Sequence, residues 1–516
     1  MTAGDVVAFF LVTGAATAGT IRWLRVAQRE HYLPGSVSRF AARWWLSTPL
    51  NRACFVAGAA AALAALAFPP VGLVTGAVVA VAPLGLSLRG RTSRLRWTRR
   101  LATVAAATAF VEAAVVAAGA LSGSWTGAVV AAALFAVASP VALDAALGVT
   151  APVERIAGGR YVTSAVAKLG RIRPTIVAVT GSYGKTTTKG YIAHLVGAYK
   201  STLPSPHSYN NRAGLARTVN DHLGVGTEVL VAEMGAYGPG EIAALCEWLP
   251  PEIAVITAIG PAHLERFKTL ERTLSAKAEI AERARVVVLN VDDARLRSLA
   301  GSLRAGGKRI IAASGTDRDA DVAVIAVPEG LELLVSGRRV GTAALGPADR
   351  PAPLSNAASA AAVALELGLP AEAVLARLSC LPSPPNRLQR YAAEGGYIVL
   401  DDTFNSNPVG ARLALARLSA EAAGRRVVVT PGMVELGGSQ FDENAAFAEA
   451  ASALATDLVV VARTNREALV AGAGRATGGA AVITFSRLDE AVKWVRGHLA
   501  AGDAVLYEND LPDHFP

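Results

Sequence analysis

The stretch Pro174–Lys189, PTIVAVTGSYGKTTTK, limits most sharply what this chain can fold into. A run rich in β-branched residues leads into a glycine loop, and Lys185 followed by three threonines opens a helix. Gly181 and Gly184 let backbone N–H groups close around phosphate oxygens with no Cβ in the way. Lys185 then reaches the β and γ oxygens of a triphosphate, and the Thr186 hydroxyl is a ligand for Mg²⁺ at the positive end of the new helix. Ser182 and Thr187 complete the cradle, so ATP and Mg²⁺ are the expected cofactors. Val179 stands where the common spacing has a further glycine, so this is the shorter T-G-x-x-G-K-T form. The competing reading is a glycine-rich strand-to-helix turn with a surface lysine.

The rest of the chain after Pro174 repeats the same grammar. TIVAVT, EVLVAEM, IAVITAI and RVVVLNV are continuous apolar runs separated by helical stretches, as in a parallel sheet covered on both faces. Residues 174–385 are expected to form this ATP-binding α/β domain, with a β-rich excursion at 320–346. A second α/β, Rossmann-like domain at 386–516 takes its strands from YIVLDD, RRVVVTP, DLVVVAR, AVITF and DAVLYE.

The first 150 residues are different in kind. Of the 516 residues 52% are hydrophobic, and alanine-rich apolar runs fall near 4–21, 53–68, 71–88, 101–122 and 126–148. Several are long enough to cross a hydrocarbon core of ~30 Å, so residues 1–150 are expected to be an α-helical membrane domain of about five helices, joined by a linker at 151–173. Arg22, Arg25, Arg29, Arg39, Arg43 and Arg52 fill the first connection, and Arg89, Arg91, Arg94, Arg96, Arg99 and Arg100 fill the one after the third run. By the positive-inside rule both face the cytoplasm, which makes the protein a multi-pass protein of the cell membrane with its catalytic domains cytoplasmic. Residues 1–150 hold twelve Arg and no Lys against Asp5, Glu30, Glu112 and Asp144, which accounts for +8 of the net +9. The remainder is nearly neutral, so the lipid bilayer is an expected partner and nucleic acid is not. Cys54, Cys246 and Cys380 show neither disulfide nor zinc spacing.

Further motifs follow the glycine loop in a fixed order: VLVAEMGAYGPG with Glu233, IAVITAIGPAHLE with His263, Lys277 in AKAEI, Asn290 in VVLNVDD, Asn386–Arg387, and DDTFNSNP at Asp401–Pro408. Together they resemble the Mur ligase superfamily, and within it the MurF branch, over about 174 to 510. The resemblance implies an ATP-dependent carboxylate-amine ligase of cell-wall precursor synthesis that works through an acyl phosphate. Its partners would be a muramoyl-peptide-like precursor and an amino acid or dipeptide.

Chemistry and resemblance together assign roles. Glu233, at the end of a buried strand, is expected to ligate Mg²⁺ with Thr186, and His263 to serve a second metal. Lys277 alone reads as a solvated helix lysine; the resemblance implies a carbamylated lysine, an anionic oxygen ligand for that second ion. Lys185, Lys277, His263 and Glu233 form the expected catalytic set. Asn290 resembles the residue that reads adenine, Arg387 the one at the γ-phosphate, and Asp402 with Asn405 and Asn407 the loop at the ribose. Asn210 and Asn211, in PHSYNNRAG, fall where these ligases carry a loop beside the phosphates and the acyl substrate. A packed or surface histidine at 263 and an Asx-rich turn before Pro408 remain the plain alternatives.

Three departures bear on substrate identity. The membrane stretch occupies the place of the domain that binds the uridine nucleotide in relatives. PAPLSN at Pro351–Asn356 lacks the histidine of the usual G-x-H-N, and YENDLPDHFP replaces a terminal Lys-Gly-Ser segment. A membrane-presented or altered substrate follows; a polyglutamate-type or lipid-linked-muropeptide ligase and a nonligating membrane P-loop ATPase stay open as alternatives.

Overall fold

The computed structural model describes residues 3–86, 88, 95–121, 125–346, 350, 353–382, 386–421, 424–477, 479–511 and 515. Arg89, Arg91 and Arg94 of the second basic connection, and Pro351 of the PAPLSN segment, lie outside the described residues. By internal contacts the chain divides into two units, Met1–Gly158 with Pro512–Pro516, and Gly159–Leu511.

The first unit is helical: Ala3–Arg29, Ser36–Leu46, Pro49–Ala64, Gly72–Val81, Arg99–Leu121 and the first part of Trp125–Ile172. Small residues let these helices pack closely, with Val12, Ala62, Val129, Ala132 and Ala133 buried together. Two arginine and aspartate contacts close helix ends that carry unpaired backbone groups. The Arg22 guanidinium donates to the carbonyl oxygens of Val79 at 3.1 Å, Ala80 at 3.0 Å and Ala82 at 2.6 Å. Asp144 accepts from the backbone N–H of Val37 at 3.2 Å and Ser38 at 2.8 Å, at the start of Ser36–Leu46.

The helices differ from the sequence expectation in two places. Where five crossings are expected, only Arg99–Leu121 and Thr126–Ile172, of 23 and 47 residues, are long and apolar enough among the described residues. The helix Pro49–Ala64 stops short of Pro69 and Pro70, which begin a separate turn because proline has no N–H to continue a helix, and the next helix, Gly72–Val81, has 10 residues. That helix rises about 15 Å, half the hydrocarbon thickness. Second, the segment expected as a linker is helix: Trp125–Ile172 is continuous over 48 residues. Val162, Ala165 and Leu169, at helical spacing, bury themselves in the core of the second unit. Lys168 Nζ donates to the Asn220 carbonyl at 2.8 Å, and the Tyr161 hydroxyl to Asp221 at 3.0 Å.

The second unit carries two sheets. Among the described residues the first has nine strands: β1 Thr175–Thr180, β2 Thr202–Pro204, β3 Val229–Glu233, β4 Ile253–Ile256, β5 Val286–Asn290, β6 Arg309–Ser314, β7 Val322–Val327, β8 Gly330–Val335 and β9 Arg338–Ala344. Their order is β2-β3-β1-β4-β5-β6-β7-β8-β9. β2 to β7 run parallel, and β8 and β9 add an antiparallel ribbon where the β-rich excursion is expected. Alternate residues of β1 enter opposite cores, Ile176 and Ala178 on one face, Val177 and Val179 on the other. That double burial is why these strands read as unbroken apolar runs.

The second sheet has six described strands: β10 Gln389–Ala392, β11 Ile398–Asp402, β12 Arg426–Thr430, β13 Asp457–Val461, β14 Ala481–Phe485 and β15 Ala504–Glu508. The order is β10-β11-β15-β12-β13-β14, parallel except for the β10 edge. The late strand β15 lies between β11 and β12, so the ends of the chain's first and last parallel strands in this sheet, Asp402 and Glu508, become neighbours.

Candidate active site

The glycine loop lies between β1 and the helix Lys185–Val196. Gly181 has φ 149° and Gly184 φ 78°, values that a side chain would strain. A Cβ on Gly181 would overlap the Thr257 hydroxyl, and one on Gly184 would run into the Asn356 amide. The ammonium of Lys185 donates to the carbonyl oxygens of Gly181 at 2.7 Å and Ser182 at 3.3 Å, inside its own loop. The Ser182 hydroxyl bonds to the Gly260 carbonyl at 3.1 Å, tying the loop to the segment after β4.

Glu233 ends β3 beside this loop, with 1% of its surface exposed. The Thr186 hydroxyl donates to Glu233 Oε2 at 2.9 Å, Lys189 Nζ lies 3.2 Å from the same oxygen, and Asn210 Nδ2 donates to Oε1 at 3.1 Å. Burial pushes this carboxyl up, but the Lys189 and Lys185 ammoniums and the two hydrogen bonds outweigh it and hold it below the ordinary glutamate range. Lys189 also donates to the His207 carbonyl, which fixes the PHSYNN loop beside Glu233. Asn211 does a different task from its neighbour: it caps the helix Arg212–Arg217, accepting from Gly214 N at 2.9 Å.

At the end of β5, Asn290 Nδ2 donates to the Thr257 carbonyl at 2.8 Å, and its Oδ1 accepts from Asp292 N at 3.1 Å. Asp293 accepts from Ile259 N at 2.9 Å. Across from these, Arg387 Nη2 donates to Thr186 Oγ1 at 3.3 Å and lies 4.2 Å from the centre of the Phe404 ring. Asp402 Oδ1 accepts from Leu388 N at 3.0 Å. Gly184, Thr187, Asn290, Arg387, Asp402 and Asn405 line one cavity of about 810 Å³, within the range of cofactor sites. Asn407 lines it as well and caps the helix Pro408–Ala420 through Gly410 N at 2.9 Å.

The expected four-residue metal set is only half assembled. Thr186 and Glu233 meet, whereas His263 Nδ1 bonds to Glu435 Oε2 and its ring meets Tyr237 edge-on at 4.9 Å. His263 itself sits at φ 57°, capping the turn Leu264–Phe267. Lys277, on the helix Leu270–Ala278, is a buried amine 5.6 Å from the centre of the Phe267 ring and not a solvated one. Burial, and then the nearby Lys185 charge, lower it to about 7. Among the described residues no three His, Cys, Asp or Glu side chains gather as a metal cluster.

Three contributors escape sequence reasoning. Lys189 looks like one more charged position of a helix, Glu435 lies far along the chain from His263, and Asn356 is seen in sequence only as part of a segment that lacks a histidine. The helical spacing of Lys185 and Lys189, one turn apart and on one face, was the available signal.

Comparison with known proteins fits this geometry. Residues 179–364 match the Mur ligase middle domain, and residues 386–507 match the Mur ligase, glutamate ligase domain. The chain is 32% identical over 413 residues to the UDP-N-acetylmuramoyl-tripeptide–D-alanyl-D-alanine ligase of Mycobacterium tuberculosis (strain ATCC 25618 / H37Rv), covering 72% of this chain and 78% of that one. It is 29% identical over 305 residues to the Escherichia coli (strain K12) ligase of the same name, covering 58% and 67%. The crystal structure of MurF ligase from Thermotoga maritima in complex with ADP aligns with a TM-score of 0.60 at 26% identity, over 68% of this chain and 80% of that one.

Proposed function

The chain belongs to the Mur ligase family, and from that premise we propose that it is a MurF-like, ATP-dependent amide ligase of peptidoglycan precursor synthesis whose acyl substrate is met at a membrane. One observation carries the reading: Glu233, buried at the end of β3, gathers Thr186, Lys189 and Asn210 beside the glycine loop. A carboxylate is a poor electrophile. Transfer of the γ-phosphoryl group from ATP to it gives an acyl phosphate and ADP; attack by an amine then forms the amide and releases phosphate and a proton. The enzyme's task is to position the reactants and offset their negative charge.

In this reading Lys185 compensates the β/γ-phosphates, and Arg387, held against Thr186, does so from the second α/β domain. Asn290 lies on the adenine side of the cavity, and Asp402 with Asn405 on the ribose side. Mg²⁺ takes one or two protein oxygens together with nucleotide oxygens, which the Thr186 hydroxyl and Glu233 carboxylate suit. Bound there it would neutralise developing phosphate charge. Lys277 suits the carbamylated role because a buried amine lowered to about 7 is neutral, and so nucleophilic toward CO₂, in a large fraction of molecules at neutral pH. In the same reading His263, which bonds to Glu435, would serve the second ion.

The acyl substrate is a muramoyl peptide and the amine D-alanyl-D-alanine or a related compound, by analogy with the ligases named above. Membrane presentation is supported by the helix Arg99–Leu121, which exposes large apolar side chains beyond its buried Leu101 and Val104: Phe110 is 75% and Leu121 88% exposed. Such a surface suits lipid better than water. The test compares full-length protein with a version beginning at Gly159, each against a UDP-linked and a lipid-linked muramoyl tripeptide. The lipid-linked substrate is expected to be used well only by the full-length protein. Equal use of the UDP-linked substrate by both proteins, with no use of the lipid-linked one, would refute membrane presentation.

A further inference from the structure

Asp402 and Glu508 are register partners on the adjacent parallel strands β11 and β15, so their side chains leave the same face of the sheet one strand apart. Glu508 is 1% exposed. Its Oε1 accepts from the Ser406 hydroxyl, while Oε2 is buried with no hydrogen-bond donor. Asp402 turns one oxygen to the Leu388 N–H and lines the cavity beside Arg387. The groups facing the pair are Arg387, which attracts negative charge, and Asp401, which repels it. Two acids on paired positions of adjacent strands, one of them fully buried, oppose each other's ionisation.

We propose that Glu508 is a positioning residue that shares one proton with Asp402, so that the pair presents a single negative charge to the nucleotide cavity and aims Asp402 at the Arg387–Leu388 segment. The inference rests on the reading of the cavity as the nucleotide site. Burial raises both carboxyls; the Asp402 charge raises Glu508 further, whereas Asp402 is also raised by Asp401 and drawn back down by the Leu388 N–H and the Arg387 guanidinium. Arg387 touches Thr186 of the phosphate loop, so the arrangement runs from Glu508 through Asp402 and Leu388 to the cradle itself. When pH rises and the shared proton leaves, a second charge appears beside a cavity that must accept a polyanion. Nucleotide affinity is then lost in proportion to the proton's departure.

The experiment is ADP binding to the full-length protein by titration calorimetry between about pH 7.5 and 9.5, where the nucleotide's phosphates are already fully ionised. In wild type the Kd is expected to climb with pH, toward roughly tenfold per unit at the alkaline end. Glu508→Gln keeps a donor for Asp402 but cannot ionise, and it should lose that alkaline limb. Ser406→Ala removes a hydrogen bond that favours the ionised glutamate, so its limb should move to higher pH. Thermal stability gives a second readout: the native pair binds more protons than the unfolded chain, so wild type should lose stability with rising pH relative to Glu508→Gln. The same alkaline limb in wild type and Glu508→Gln would overturn the proposal. Wild-type protein that binds no ADP at any pH would instead overturn the nucleotide-site reading on which it rests.

Discussion

Glu233 and Lys189 are a buried ion pair, and the cost of breaking one differs from the benefit of having it. Desolvating both charges offsets most of their attraction, yet removing one partner strands the other. Lys189→Met keeps the volume and removes the charge, leaving Glu233 against Thr186, Asn210 and Lys185 alone. The expected loss is about 3–5 kcal/mol at neutral pH, read by urea unfolding. The sign with pH is fixed: the depressed Glu233 carboxyl contributes stability above its ordinary unfolded value, and that contribution fades as pH falls through its lower folded value. The gap between variant and wild type should therefore narrow in acid. A variant within about 0.5 kcal/mol of wild type at pH 7 would show that the pair contributes nothing. At this scale the sequence was readable where backbone chemistry constrains residue choice, at Gly181, Gly184 and Lys185. It was silent where a role depends on a distant partner, as for Lys189, Glu435 and Glu508.

At the scale of elements, the helix that ends at Ile172 is the clearest lesson. Its last part carries alanine, glycine and arginine among its apolar residues, so mean hydropathy hides a narrow stripe of Val162, Ala165 and Leu169. A linker reading follows from composition; the helix follows from spacing, which a strip of three residues signals only weakly. Leu169 packs into the same cluster as Ile176 and Ala178 of β1, which leads into the glycine loop. Leu169→Ala is expected to cost about 2–4 kcal/mol through lost burial and a residual cavity. The measurement is chemical denaturation of the second unit followed by nucleotide-sensitive fluorescence. A change below about 0.5 kcal/mol would return the segment to the status of a tether. The parallel strands, by contrast, were legible because burial on both faces leaves no room for polar alternation. The short helix Gly72–Val81 falls in a run that reads as a crossing because the apolar residues continue past Val81, where the structure ends the helix.

For the whole molecule, the chain pairs a helical unit, with two helices long and apolar enough to span a bilayer among the described residues, with a two-sheet unit of the Mur ligase type. Family membership could be read from the order of motifs, since Glu233, Asn290, Arg387 and Asp402 are spread over the sequence and gather only when β1, β3, β5 and β11 fold. What the order of motifs did not convey is where the residues expected to bind metal lie, because His263 pairs with Glu435, 172 positions along the chain, and Lys277 is buried beside Phe267. The central claim is that this unit couples ATP cleavage to amide formation. Its most direct test is the release of ADP and phosphate by full-length protein supplied with ATP, a muramoyl tripeptide and D-alanyl-D-alanine, each omitted in turn, with Lys185→Ala as control. Sustained release is expected only when the carboxylate and the amine are both present, and Lys185→Ala should lose at least about 100-fold while remaining folded, because the charge facing the β/γ-phosphates is gone. Release at full rate with either substrate omitted, or undiminished ligation by Lys185→Ala, would contradict the account.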